Sequence, residues 1–358
     1  MPIQPRPEIE RVPSVTHGGF HSTHRTDWLD FSSNVNPFGP SPHIWDAMRA
    51  VRIDQHPDPR AAPLRQVLAE VEGVDAHQVL VGNGSVELIY HLAVAYLRAG
   101  DRVLVVEPTF GEYAAAAAIM GAEVIHWRTR PEENFALDVD ALLRFAHQVN
   151  PRLFFLCNPN NPTGTYVERD AIEPLLRGCP DTLLALDEAF VRFVADACSS
   201  RKMRAFDNLL VLRSLTKDYA LTALRVGYAL APPTITKVTS VIGALEKVQP
   251  PWSVNALAQA AAIAALHDEK HLRDSLVALA YAKDTFIRDL TQLDWRVIPS
   301  ATNFFLMQVP SASELARQLR ERKIVVRDGT SFGLPTFVRI ATRRPEENAR
   351  LVSLLEKL

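Results

Sequence analysis

The chain has 358 residues, with 39 Lys and Arg against 41 Asp and Glu, a formal net charge of −2 and 47% hydrophobic residues. That balance offers no uniform electrostatic footprint for nucleic acid or an anionic membrane, and no apolar run approaches the roughly 20 residues that span a bilayer. The opening MPIQPRPEIERVPSV is charged and proline-bearing and does not read as a secretory signal. Cys157, Cys179 and Cys198 lie far from any C-x-x-C spacing, so neither a disulfide framework nor a metal site is indicated and a cytoplasmic setting is expected.

Residues 1–44 are irregular in pattern and are expected to form an arm packed across a domain interface. From residue 78 the chain alternates short aliphatic runs with helical patterns, beginning with a strand at 78–81 and a helix at 85–97. Further strands are predicted at 103–106, 124–127, 153–157, 183–186, 209–212 and 226–230, with the alanine run 114–118 read as a helix face packed on a sheet. Short, continuously apolar strands are what a mostly parallel sheet covered on both faces requires. The expected fold is therefore α/β: a seven-stranded-type, mostly parallel sheet flanked by helices over residues 45–255. After helical patterns at 256–267 and 272–290 the style changes. Strands at 304–309, 324–327 and 337–341, a helix opened by Ser311-x-x-Glu314 and a last helix from Pro345 predict a smaller α+β domain over 256–358.

The sharpest local feature is Ser214-Leu215-Thr216-Lys217, followed by Arg225 in Arg225-Val226-Gly227-Tyr228. A lysine placed after a buried strand, with a cation nearby, has its pKa lowered enough to act as a nucleophilic amine. Gly82-Asn83-Gly84-Ser85 stands between a strand and a helix, where backbone N–H groups can cradle a phosphate. Asp187 of Asp187-Glu188-Ala189-Phe190 ends an apolar strand, the place where open α/β sheets bind ligands, and a buried carboxylate there calls for a cationic partner. Asn158-Pro159-Asn160-Asn161-Pro162-Thr163-Gly164 combines turn chemistry with amide side chains at the sheet's edge.

Taken in this order, the motifs resemble the fold-type I pyridoxal-phosphate enzymes of the class I/II aminotransferase family. The resemblance implies pyridoxal 5'-phosphate as cofactor, with Lys217 as the Schiff-base lysine, Asp187 on the pyridine nitrogen, Asn161 on the ring hydroxyl and Phe110 stacked on the ring. It gives Gly84, Ser85, Ser214, Thr216 and Arg225 the cofactor phosphate. His56 stands where relatives carry a tyrosine that reaches a neighbour's cofactor phosphate, which implies a homodimer with shared sites. Thr222-Ala223 departs from the usual Pro-Gly before Leu-Arg.

Within that family, Asn34-x-Asn36-Pro37-Phe38-Gly39-Pro40 and the late Arg327 and Arg339 look like the histidinol-phosphate aminotransferase branch and its relative, threonine-phosphate decarboxylase of the cobalamin pathway. His17-Gly18-Gly19, Pro251-Trp252-Ser253-Val254-Asn255-Ala256-Leu257-Ala258 and Phe190 after Asp187-Glu188-Ala189 are similar to the decarboxylase. The expectation is therefore decarboxylation of phosphothreonine, a small phosphorylated substrate held by His17, Asn36, Arg327 and Arg339. Amino transfer from histidinol phosphate or an aromatic amino acid is the first alternative. A non-catalytic cofactor-binding regulatory module is a second, disfavoured by the presence of Lys217.

Overall fold

The computed structural model describes residues 3–19, 27–194, 205–233 and 240–358; Cys198 lies outside them. The central sheet has seven strands: β2 (Val79–Gly82), β3 (Arg102–Glu107), β4 (Glu123–Arg128), β5 (Leu153–Cys157), β6 (Leu183–Asp187), β7 (Leu209–Ser214) and β8 (Gly227–Leu230). Their order is β2-β8-β7-β6-β5-β3-β4, parallel except for β8, which runs antiparallel to both its neighbours. All seven predicted strands are present. The period-two rule sorts their side chains into two layers. Leu104, Phe154, Leu184, Val211 and Tyr228 face α2 (Ala62–Glu72), α5 (Val139–Val149), α6 (Arg169–Gly178) and α8 (Ala256–His267). Val103, Phe155, Ala185, Leu212 and Ala229 face α3 (Ser85–Tyr96), α4 (Glu112–Ile119) and α7 (Val241–Val248).

Two expectations need correction. The strand at 124–127 is not fully buried: β4 is the edge strand, and Glu107 beside it takes His126 and Arg128 as ion partners at 2.9 and 3.0 Å. The small domain does not take its packing from residue 256. Ala258, Ala261, Ala262 and Ala265 of α8 belong to the core under the large sheet, together with Leu266 and Leu272. The alanines on its buried face let that helix lie close against α1 (Ile44–Arg49) and α2.

The second body is an antiparallel sheet, β11 (Arg327–Asp328), β12 (Phe337–Ala341) and β9 (Phe304–Gln308), packed on α9 (Glu269–Gln292), α10 (Ala312–Glu321) and α11 (Pro345–Leu355) around Phe286, Phe305, Met307 and Ile340. The predicted strand 324–327 is divided at Val326. Its first half, β10 (Ile324–Val325), pairs in parallel with β1 (Leu29–Asp30) of the arm, and its second half is β11. At the opening of α10 the Ser311 hydroxyl accepts from the Glu314 N–H, which is the forward half of the expected capping box.

The arm links the two bodies. Arg6 donates to the Ile119 carbonyl at the end of α4, and Thr16 O accepts from Arg327 of β11 at 2.7 Å. Phe31 then buries its ring in the small core.

Candidate active site

Parallel strands deliver their C-terminal ends to one rim of the sheet, and a cavity of about 450 Å³ opens there, within the usual size range of small-molecule sites. Cys157, Asp187 and Ser214 continue the rows that face α3 and α4, so each reaches the rim on the same side. Lys217 follows in the loop after β7. Burial, then the charges of Arg339 and Arg225, lower the Lys217 ammonium to about 8. Its backbone carbonyl accepts from Asn36 N–H at 2.9 Å, which fixes the loop from the arm side.

Asp187 is 3% exposed. Its Oδ2 accepts from the Tyr113 hydroxyl at 2.7 Å and its Oδ1 from the Ala189 N–H at 3.0 Å. Burial raises its pKa, and those two bonds oppose the rise. Tyr113 stacks on Phe155 at 4.9 Å and meets Phe110 edge-on at 5.7 Å, so the ring of Phe110 is held at the cavity wall. The Cys157 thiol beside them is pushed up to about 12 by burial and then by Asp187; it donates to Pro159 O.

The asparagine-rich loop divides its labour. Asn158 is tied on both amide atoms to Val167 at 2.8 Å. Asn160 is held by Thr109, Pro108 O and Thr163. Asn161 alone of the three lines the cavity, where its Oδ1 accepts from Arg339 Nη1.

At the other end, Gly84 opens α3 with φ +78°, and a Cβ there would stand 2.7 Å from Arg225 Nη2. The missing side chain is what lets the guanidinium close over the helix start. Ser85, Ser214 and Thr216 line the same end, with the Ser214 and Thr216 hydroxyls 2.7 Å apart. Arg225, itself at φ +59°, is anchored by one bond to Thr222 O. The result is a cluster of hydroxyls, a helix N-terminus and a cation, suited to a phosphate.

The substrate side is less like the expectation. Arg339 of β12 is 5% exposed and lines the cavity; its Nη2 donates to Ser32 O at 2.6 Å and its Nε has no hydrogen-bond partner among the described residues. Arg327 does not line the cavity. Its Nη2 is committed to Thr16 O and to Ser331 Oγ, and its guanidinium lies over Phe332. Asn36 does not line it either, because its amide is spent on Asp218 O at 3.0 Å and Ser275 Oγ at 2.8 Å. The neighbouring Asn34 takes that place: it is 4% exposed, lines the cavity, and its Oδ1 has no hydrogen-bond partner among the described residues. His17 is present at the wall, half-exposed, with Nε2 2.9 Å from Glu112 Oε1. His56 lies away from the chain's own cavity, stacked on Trp252 at 4.9 Å.

Tyr113, Glu112 and Asn34 were not singled out from sequence. A tyrosine and a glutamate heading an alanine-rich helix carried no local signal, since Asp187, His17 and Tyr90 reach them from other elements.

The model of the class I and II aminotransferases matches residues 26–355. The chain belongs to that family. The family's cofactor is pyridoxal 5'-phosphate, and the enclosed lysine, the buried carboxylate opposite it and the glycine cradle under Arg225 fit that group. Among relatives, a histidinol-phosphate aminotransferase from Moorella thermoacetica is 36% identical over 93% of this chain and 86% of its own. The crystal structure of a histidinol-phosphate aminotransferase from Clostridium acetobutylicum superposes with TM-score 0.83 over 92% of this chain and 98% of its own, at 24% identity, which bears on fold. That of L-threonine-O-3-phosphate decarboxylase from Porphyromonas gingivalis gives TM-score 0.77 at 30% identity, over 91% and 100%.

These findings overturn the decarboxylase expectation. Curated relatives at 32–36% identity over 92–100% of this chain are histidinol-phosphate aminotransferases. Of the segments read as decarboxylase-like, His17-Gly18 and Phe190 line the cavity, and the Pro251–Ala258 segment does not. Asn255 caps α8 by accepting from Ala258 N–H, and Phe190 packs edge-on against Phe304 at 5.0 Å. Among the described residues no helix is long and apolar enough to cross a membrane, and no cluster of three or more His, Cys, Asp or Glu is placed to hold a metal.

Proposed function

We propose that this protein is a pyridoxal-phosphate aminotransferase acting on a small phosphorylated amine of the histidinol-phosphate kind. The observation that carries the proposal is the gathering of Lys217, Asp187, Asn161 and Arg339 around one cavity in a chain whose curated relatives bear that activity in their names. When bound, the cofactor supplies an electron sink for the pair released as a bond to the substrate carbon breaks. Lys217 would be its covalent anchor and, with an amine near half-neutral at about pH 8, would take the substrate's Cα proton onto Nζ. Asp187 would pair with the ring nitrogen, the bonds from Tyr113 and the Ala189 N–H favouring its ionised form against burial. Asn161 would meet the ring hydroxyl and Phe110 the ring face. Gly84, Ser85, Ser214, Thr216 and Arg225 would hold the cofactor phosphate.

Arg339 would anchor the substrate's anion, since burial and the charge of Arg327 both lower its pKa and an incoming anion relieves both. His17 stands nearby as a second polar contact. His56 would complete the phosphate site of a partner subunit in a homodimer.

The test is direct. Full-length enzyme offered histidinol phosphate and 2-oxoglutarate should form glutamate, and borohydride reduction followed by peptide mapping should label Lys217. Absence of amino transfer, or loss of carbon dioxide from an amino-acid substrate in its place, would overturn the reading.

A further inference from the structure

The strand ends that present Asp187 and Lys217 to the cavity carry a second set of charged groups on the opposite side. Glu188 follows Asp187 and Asp218 follows Lys217, and both carboxylates are 3% exposed. Arg213, on β7, pairs with Glu188 at the end of β6 at 2.7 Å. Arg192, in the segment that continues from β6, pairs with Asp218 beyond the end of β7 at 3.4 Å. Each strand's arginine therefore grips the other strand's carboxylate. The crossed pairs sit in one buried group: Arg192 also meets Glu72 Oε1 at 3.4 Å, Tyr228 donates to the same oxygen at 2.8 Å, and the Arg192 guanidinium lies over the Tyr219 ring. Glu188, Asp218, Arg192 and Arg213 do not line the active-site cavity, and no step of amino transfer uses them.

We infer that Asp218 and Glu188 are positioning residues, which with Arg192 and Arg213 form a reciprocal clamp that sets the spacing of Lys217 and Asp187 across the cofactor. The inference rests on the functional reading only for the identity of Lys217 as the reacting amine. Three observations support it. The backbone already joins the two segments, Glu188 N–H donating to Leu212 O at 2.9 Å, so the side-chain pairs act on parts that move together. Asn36 grips the carbonyls of both Lys217 and Asp218, so turning the Asp218 side chain would pull on the peptide that follows Lys217. A purely stabilising role would be met as well by apolar side chains, because buried ion pairs are costly to desolvate; their geometry is what they add.

Burial pushes the Asp218 carboxyl up to about 6, while Arg192 chiefly, and Arg213, pull it down. Arg192, Arg213, Glu72, Tyr219 and Tyr228 are the charged and titratable groups gathered around it, with Glu269 beyond Tyr219. The clamp reaches the lysine through the chain, by the peptide that joins Lys217 to Asp218 and by Asn36, which binds both carbonyls.

The clamp is tested on the full-length chain freed of cofactor, by the pH dependence of Lys217 acetylation read by peptide mass. A lysine held in its desolvated place reacts with a midpoint near 8. Releasing it toward solvent should raise the midpoint in Asp218→Asn and in Arg192→Gln by about one pH unit, with the double variant no different from either single one. Arg192→Lys, which keeps the charge and loses the planar fork, is measured in the same way and covers the case in which Asp218→Asn does not fold. A midpoint unchanged from wild type in the folded variants would overturn the clamp even if their melting temperatures fall. Failure of wild type to take pyridoxal phosphate on Lys217 would instead overturn the functional reading, and the acetylation midpoint would still decide the clamp.

Discussion

Arg327 and Arg339 face each other as register partners on β11 and β12, yet only Arg339 opens onto the cavity. Like charges directly opposite on a sheet repel. Each guanidinium offsets this by donating to an arm carbonyl, Thr16 O for Arg327 and Ser32 O for Arg339. Replacing Arg339 by Lys should lower kcat/KM for a phosphorylated amine by about one to two orders of magnitude, since a charge-assisted anchor is worth roughly 1.5–3 kcal/mol. Arg327→Lys should cost less than about tenfold and act through the arm. Steady-state kinetics of the two variants side by side would check the order, and a larger loss at Arg327 would contradict it.

Lys217 carries a cost in the cofactor-free protein that can be read from stability. Its folded value of about 8 lies below the ordinary 10.5, so between those values the unfolded chain holds a proton that the folded chain lacks. Stability should therefore rise with pH across that window, the penalty being fully present below about 8. Lys217→Met should stabilise the cofactor-free protein at pH 7 by on the order of 3 kcal/mol, an advantage that shrinks toward pH 10. Denaturant melts at several pH values would show it.

Tyr113→Phe removes the hydroxyl that donates to Asp187 Oδ2 while keeping the stack on Phe155. The carboxylate then loses a bond that favours its ionised form, so its pKa rises further and the acid limb of cofactor binding moves to higher pH. At neutral pH the cofactor dissociation constant should increase by roughly tenfold, the lower end of what a hydrogen bond to a charge contributes. Equilibrium dialysis against free cofactor measures this.

Much of this site could be read from residue order because strand ends are marked twice, by an apolar run and by the break in it. Asp187, Lys217 and Asn161 each follow such a run, and all three reach the cavity. Asn34 and Asn36 could not be told apart, since both are buried amides and only the position of Ser275 and of the Asp218 carbonyl decides which one is spent on packing. The division of 324–327 was equally hidden. A run of apolar residues ending in arginine looks like one strand, and what splits it is a pairing with Leu29 and Asp30. The place where the small body begins was obscured by α8, whose alanines fit under a large sheet as well as they would fit anywhere.

His56 and Trp252 form a stacked pair at the surface, Trp252 being 47% exposed and Ile53 nearby in sequence 87% exposed. If His56 serves a partner's site, the smallest active species is a dimer. Trp252→Ala, which removes the ring His56 stacks on within its own chain, should then loosen His56 and lower activity by up to about tenfold, and activity should fall on dilution in step with the dimer. Sedimentation velocity and assays over the same concentration series would test it, and a fully active monomer would count against it.

The parallel ladder of β1 with β10 sets the order in which this protein can be completed. Leu29 pairs with Ile324 and Asp30 with Val325, so this part of the arm has no strand partner until the chain is nearly finished. Such a long-range closure is slow to form and leaves Phe31 exposed while it waits. The large sheet, by contrast, draws all its strands from 79–230 and can assemble first. The cavity, which needs Ser32 and Arg339 as well as Lys217, is therefore the last part of the molecule to exist, and a truncation at either terminus would abolish it while leaving most of the secondary structure in place.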